Sequence, residues 1–345
     1  MNSSLMYKEI LMTRDSLKYA HDYNAKVIYD LKDIIEKQGI NNIIIAARGS
    51  SDNVGNYFKY LCEIFLHIPV TLAACSVVTK YESYLNLEHT MVLAISQSGS
   101  GQDICEFIRM ANNHGALTVS MTNNLDSICA KESHYKLYLN LTEEKGLAAT
   151  KTFTSQMYIS LLFVAILSDN EELKNGITEL DEQIQTVIDS EESIIDIAKA
   201  CTKWIDCYLL SRGVSYVSSL EGALKIQETT YIKAKAYAIS DFYHGPMAIT
   251  DENQNFILFA AKGVCEQDSI DMFNKLMDAG ANVIVITNTD TYEGYEKVIN
   301  IPDCSEFIFP ILSIIAIQLF SCNLSTLRGI DTDHPRLLKK VTVTR

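Results

Sequence analysis

The chain has 345 residues, 48% of them hydrophobic and 21% charged, with a formal net charge of −14. That is enough to bury a large core in about two domains, and the acidic balance repels phosphate backbones, which argues against nucleic acid as a partner. Nine cysteines occur with no C-x-x-C pair, a usage that points to reduced thiols in a cytoplasmic protein and away from a disulfide framework or a zinc site.

Met1–Glu9 is polar and does not read as a signal peptide. Ile43–Ala47 predicts a buried strand followed by the hydroxyl cluster Gly49-Ser50-Ser51. Met91–Ile95 predicts a second strand; Ser96, Gln97, Ser98, Gly99, Ser100 and Gly101 form a loop, and a helix starts near Gln102. A strand, a Gly/Ser loop and a helix N-terminus make an anion site: the first helical N–H groups point outward, and serines add donors without bulk. The loop has no lysine, so it is not a Walker nucleotide loop, and it lacks the third glycine of the dinucleotide fingerprint. A small monophosphate fits better. The chain's own charge repels such a ligand at long range, so the site must work through local donors. The plain alternatives are a strand–turn–helix junction at 96–101 and an ordinary serine N-cap at 50–51.

Gly146–Thr154 is a polar loop ahead of an apolar helix. It either closes over a ligand or caps that helix. The apolar runs Tyr158–Leu167 and Phe307–Phe320 are shorter than a bilayer span and predict buried helices, so no membrane is expected. Residues 169–200 are acidic and helical in pattern. They suggest a division into 1–170, a helical linker over 171–198, and 199–345.

In Leu220–Tyr231, Glu221, Lys225 and Glu228 share one helical face. Taken alone they predict a surface ladder of ion pairs. In Asp241–Pro246, His244 precedes Gly-Pro and is held on a turn. A histidine, a carboxylate and a lysine near a phosphate pocket form an acid–base set, although a lone turn histidine is equally an ordinary structural residue. Asp331–Arg345 reads as ordered, with Lys339 or Lys340 available to a pocket, or else as a solvated basic end.

The chain also repeats itself at an offset of about 165 residues. Ile43–Ser50 answers Cys207–Ser215, Gln102-Asp103 answers Gln267-Asp268, and Gly115–Asn123 answers Gly280–Asn288. Strands and helices alternate in each half, predicting an α/β fold with a doubly wound parallel sheet per half. The first half keeps Ser96-Gln97-Ser98-Gly99 where the second has Ala261-Lys262-Gly263, so one anion loop is expected to have been retained and one lost.

Together, SQSG at 96–99, EEKGLAATKTFT at 143–154, LEGALKIQETTYIKAKAY at 220–237, HGP at 244–246 and DTDHPRLLKKVTV at 331–343 resemble the sugar isomerase (SIS) family, in particular the isomerase half of glucosamine-6-phosphate synthase. The resemblance implies two SIS domains and a phosphosugar enzyme. It implies phosphate binding by Ser51, Ser96, Gln97 and Ser98, with Gly49, Ser50 and Leu147 beside the substrate and Glu144 in a closing loop. It makes Glu228 the base that moves a proton between C1 and C2, with Lys225 stabilising the resulting charge. It makes His244 the ring-opening group, supplied by the neighbouring subunit of a homodimer with a shared active site, and Lys340 (or Lys339, one residue away) the lysine that meets the open-chain carbonyl. Ser100 and Gly101 replace the Glu-Thr of the family loop, which leaves the Ser100 hydroxyl or the Gly101 N–H to donate there. The chain starts at the isomerase half, so it is not expected to draw ammonia from glutamine by itself.

The expected function is aminosugar 6-phosphate deamination with isomerisation, glucosamine 6-phosphate to fructose 6-phosphate plus ammonia. A fructosamine-6-phosphate deglycase and a sugar-phosphate sensor without turnover are the alternatives. No metal or cofactor is expected.

Overall fold

A computed structural model describes residues 3–337. The chain divides into two compact units, one of residues 15–144 with 151–174, the other of residues 145–150 and 175–337 with the N-terminal segment up to Arg14.

The first unit is built on strands β1 (Asn42–Ala47), β2 (Val70–Leu72), β3 (Thr90–Ile95), β4 (Leu117–Thr122) and β5 (Tyr135–Tyr138), all parallel in the order β2-β1-β3-β4-β5. Every residue of β3 and β4 is buried, as expected of strands covered on both faces, whose sequences run apolar without alternation. On one face the helix Gln102–Asn113 turns Ile104, Phe107, Ile108 and Ala111 towards Ile44, Ala46, Val92 and Ala94. On the other face lies the helix Ser50–Leu61, whose Gly55 leaves no room for a Cβ beside Ile45 and Leu72. The helix Lys151–Ser168 is buried from Lys151 to Ile166, which is why its sequence carries no polar stripe.

The second unit repeats this plan. Strands β6 (Asp206–Ser211), β7 (Lys233–Ala238), β8 (Asn255–Ala260), β9 (Asn282–Thr287) and β10 (Val298–Asn300) are parallel in the order β10-β9-β8-β6-β7, the same succession read from the opposite edge. The sequence repeat is therefore a repeat of topology, and the expected α/β architecture with one doubly wound sheet per half is what the chain adopts. The helices Glu171–Asp189 and Glu191–Ala200 occupy the acidic stretch between the sheets.

One sequence expectation needs correction. The helix Phe309–Leu327 runs 19 residues, long and apolar enough to cross a bilayer, because the pattern continues past Phe320. Its placement is that of a core helix, with 89% of its apolar window buried in the protein. All nine cysteines are free.

Phe107 is 1% exposed in the first core. Phe107→Ala removes a ring from between helix and sheet and is expected to destabilise this unit by about 3–5 kcal/mol, read as a lower urea midpoint for the first unfolding transition.

Candidate functional site

Parallel pairing sets Ala47 of β1 against Ile95 of β3. The chain leaves both strands at the same edge of the sheet, and because β2 lies to one side and β4 to the other, the two connections diverge. A crevice opens where strand order reverses in this way, at the carboxyl ends of the strands. The segments that emerge there are Arg48-Gly49-Ser50-Ser51 and Ser96–Gly101, so the two hydroxyl clusters found in the sequence are neighbours in space.

Each cluster leads into a helix whose N-cap residue makes no side-chain hydrogen bond, so two helix N-termini, the positive ends of their dipoles, lie at this edge. Gly49 has φ +57° and Gly99 φ +61°, conformations that disfavour any side chain. At Gly99 space is decisive as well, since a Cβ would meet Ser127 Oγ at 2.1 Å. The 96–101 loop is stitched down by backbone bonds. Gly99 N–H donates to Ser96 O at 3.2 Å, Cys129 N–H donates to Gly99 O at 3.0 Å, and Asn123 N–H donates to Gln97 O at 2.9 Å.

The hydroxyls divide by what they do with their protons. Ser96 Oγ accepts from Gly99 N–H at 3.2 Å and Ser98 Oγ accepts from Ser100 N–H at 3.4 Å. Among the described residues neither donates, so both protons can turn to an incoming anion. Ser100 instead donates to Ser98 O at 3.1 Å, and Gly101 is the N-cap residue of the helix. Ser51 donates inward, to Gln156 Oε1 at 3.2 Å. Arg48, the nearest cation in sequence, pairs with buried Asp103 at 2.9 Å. Arg212 and Asp268 repeat that pair at 4.0 Å in the second unit. The sequence repeats contain all four residues, and only their recurrence in both halves hints that they pair.

The same edge of the second sheet is closed by protein. Gly263 has φ +148° and lies against Glu306, whose carboxylate a Cβ would strike at 2.8 Å. Val264 N–H donates to Glu306 Oε1 at 3.4 Å, and Lys262 Nζ pairs with Asp303 at 3.2 Å. A side-chain carboxylate thus occupies the position an anion would take after β8.

The helix Tyr216–Thr230 carries Glu221, Lys225 and Glu228. These do not form the expected surface ladder. Lys225 and Glu221 are fully buried, Lys225 Nζ is 2.5 Å from Glu228 Oε2 and 3.4 Å from Glu221 Oε1, and only Glu228 keeps 22% of its side chain exposed. Helical spacing showed that the three share a face; it could not show that the face turns inward.

His244 is exposed and follows the helix Ile239–Tyr243, with Gly245 at φ +150° and Pro246 opening the next turn. It lies far from Glu228 in the same chain. Glu228 is in the last turn of its helix, beside the start of β7, where Gln227 donates to Ala234 O. His244 comes after β7 has crossed the sheet, a rise of about 20 Å. The two also flank opposite faces: Gly222 of the Glu228 helix packs on Leu209, whereas Phe242 packs with Leu210.

Glu144 is buried and accepts from Thr152 N–H at 3.1 Å, capping the helix Lys151–Ser168. Lys145 N–H and Gly146 N–H donate to Glu9 at 2.5 Å and 3.0 Å, which anchors the segment leading to half-buried Leu147. Lys339 and Lys340 lie outside the described residues.

The sequence pattern of the SIS domain matches residues 36–166 and 202–328, each stretch containing one sheet. The glutamine–fructose-6-phosphate aminotransferase (isomerizing) of Methanothermobacter thermautotrophicus is 31% identical over 316 residues, covering 90% of this chain and 53% of the relative. That of Corynebacterium glutamicum is 30% identical over 367 residues, covering 99% and 58%. The chain therefore spans little more than half the length of these curated relatives. Among solved structures, the C-terminal domain of glucosamine-fructose-6-phosphate aminotransferase from Francisella tularensis superposes with a TM-score of 0.83 at 23% identity, over 96% of this chain and 98% of that one. Glucosamine-6-phosphate deaminase from Thermotoga maritima superposes with a TM-score of 0.73 at 21% identity, over 99% and 100%. At those identities the superpositions speak for the fold alone. The two matched stretches, the repeated sheet order and the hydroxyl-lined crevice lead to one assignment: the chain belongs to the SIS domain family, with two SIS domains in tandem.

Proposed function

We propose that this protein is a phosphosugar aldose–ketose isomerase that deaminates its substrate, converting glucosamine 6-phosphate and water to fructose 6-phosphate and ammonia. The observation that carries the reading is the crevice at the carboxyl ends of β1 and β3, where Ser96 and Ser98 hold hydroxyl protons available to an anion beside two helix N-termini. The names of the relatives support a phosphorylated hexose as the occupant.

In this reading the 6-phosphate is held by Ser51, Ser96, Gln97 and Ser98, so binding energy remote from the reaction positions C1 and C2. His244 opens the ring. Glu228 removes the C2 proton to give an enolamine and returns a proton to C1; the C2 imine then takes up water and releases ammonia. Lys225 holds one oxygen of Glu228 and is itself enclosed, so it enters as a positioning residue. Lys340 is proposed to meet the open-chain carbonyl. Proton transfer by a positioned carboxylate contributes about 10²–10⁴ in rate. Glu228→Gln is accordingly expected to lower ammonia release by at least about 10²-fold while calorimetric binding of glucosamine 6-phosphate persists. Release of an amino acid from fructosamine 6-phosphates in place of ammonia would move the reading to a deglycase. Identical behaviour of wild type and variant, with binding and no turnover, would replace the enzyme by a sensor.

Because the sheet stands between Glu228 and His244 of one chain, we propose that they meet on one hexose only across two copies. Inactive Glu228→Gln and His244→Ala proteins, unfolded and refolded together, should then regain up to about a quarter of wild-type activity through mixed dimers with one intact site. No recovery in a mixture that contains mixed dimers would refute the shared site.

A further inference from the structure

Gln156 lies in the second turn of the helix Lys151–Ser168 and is 1% exposed. Its Oε1 accepts the Ser51 hydroxyl proton at 3.2 Å, while its Nε2 is buried with no hydrogen-bond partner. Thr152, one turn earlier on the same face, and Ser155 also bury hydroxyls without partners. A buried amide N–H₂ without an acceptor is costly, so native proteins rarely retain one without a use. Here its neighbour is a serine of the proposed anion crevice, pointing its proton the wrong way to bind an anion.

We propose that Gln156 is a positioning residue for Ser51, and that its side-chain amide turns over when a phosphate enters the crevice. Before binding, Oε1 accepts from Ser51. After a half-turn of the amide, Nε2 donates to Ser51 Oγ and the Ser51 proton is directed outward to a phosphate oxygen. The turn exchanges one hydrogen bond for another, gives the orphaned donor a partner, and adds a charge-assisted bond to the ligand. Ser96 and Ser98 need no such device because backbone N–H groups already donate to them. The proposal rests on the reading of Ser51 as a phosphate contact.

The test is calorimetric binding of glucosamine 6-phosphate to the full chain. Ser51→Ala is expected to weaken binding about fivefold to tenfold, the loss of one good hydrogen bond. Gln156→Glu can only accept once its carboxyl is ionised, so at a pH above that titration it traps the Ser51 proton inward and should weaken binding at least as much. Gln156→Met frees the hydroxyl to rotate and should stay within about twofold of wild type. In the Ser51→Ala background Gln156→Glu should add nothing further. A further loss there would show charge repulsion and overturn the relay, as would Gln156→Met binding as poorly as Gln156→Glu. Should Gln156→Glu fail to fold, the side-chain amide resonances of Gln156, identified by their absence in Gln156→Met, provide the second readout: they should shift on saturation in wild type and stay still in Ser51→Ala. Unchanged resonances in saturated wild type refute the relay. If Ser51→Ala binds normally while Ser98→Ala does not, Ser51 is no phosphate contact and the relay falls with it; if neither weakens binding, the crevice reading itself fails.

Discussion

The pairing of Ala47 with Ile95 across two parallel strands determines where the two hydroxyl-bearing loops of the first unit meet. It delivers two loops to one point on the sheet edge, and it does so with backbone bonds on strands that are buried on both faces. A slip of one residue would turn Ile44, Ala46, Val92 and Ala94 away from the core they share with the helix Gln102–Asn113. Register is therefore enforced by packing over the whole strand length, and the loops inherit that precision. Gly99 then settles the second loop against Ser127, where no other residue fits.

In the second unit Glu228 lies at the other end of the strands, beside the start of β7. Lys225 enclosed by two carboxylates is an expensive arrangement, since taking charges out of water costs several kcal/mol per ion before their attraction repays it. What it secures is orientation. A carboxylate in the last helical turn would otherwise sample several rotamers; gripped through one oxygen, Glu228 presents a narrow range of directions. The helix Phe309–Leu327 backs this arrangement, with Ser313 bonded to Ser218 at 2.8 Å and Ile317 set against Gly222.

Much of this was legible in the sequence, for identifiable reasons. Parallel strands buried on both faces appear as unbroken apolar runs, so Ile43–Ala47 and Met91–Ile95 differ from β1 and β3 by a single residue at their start. The repeat was visible because Gly turns and Arg-Gly pairs punctuate both halves. Other features depend on which way a side chain faces. The 221–225–228 face reads the same whether exposed or buried. Gln156 is one polar letter in an apolar helix, and nothing local announces that it reaches Ser51, 105 positions earlier. Arg48 and Asp103 belong to separate repeated segments, and their recurrence together in both halves is the signal the sequence holds for their pairing. Glu306 lies outside every motif, and its role follows only from the turn that brings it to Gly263.

That glutamate gives the tandem an asymmetry of its own. With Glu306 lodged against the loop after β8, the later domain carries a permanent tenant and has its local order whether or not any small molecule is present. In the earlier domain Ser96 and Ser98 only accept hydrogen bonds among the described residues, and Ser51 donates inward to Gln156. An anion held there would stabilise the folded state by mass action, whereas Glu306 is part of the chain, so the duplicated scaffold supplies one of its two loops with a carboxylate of its own.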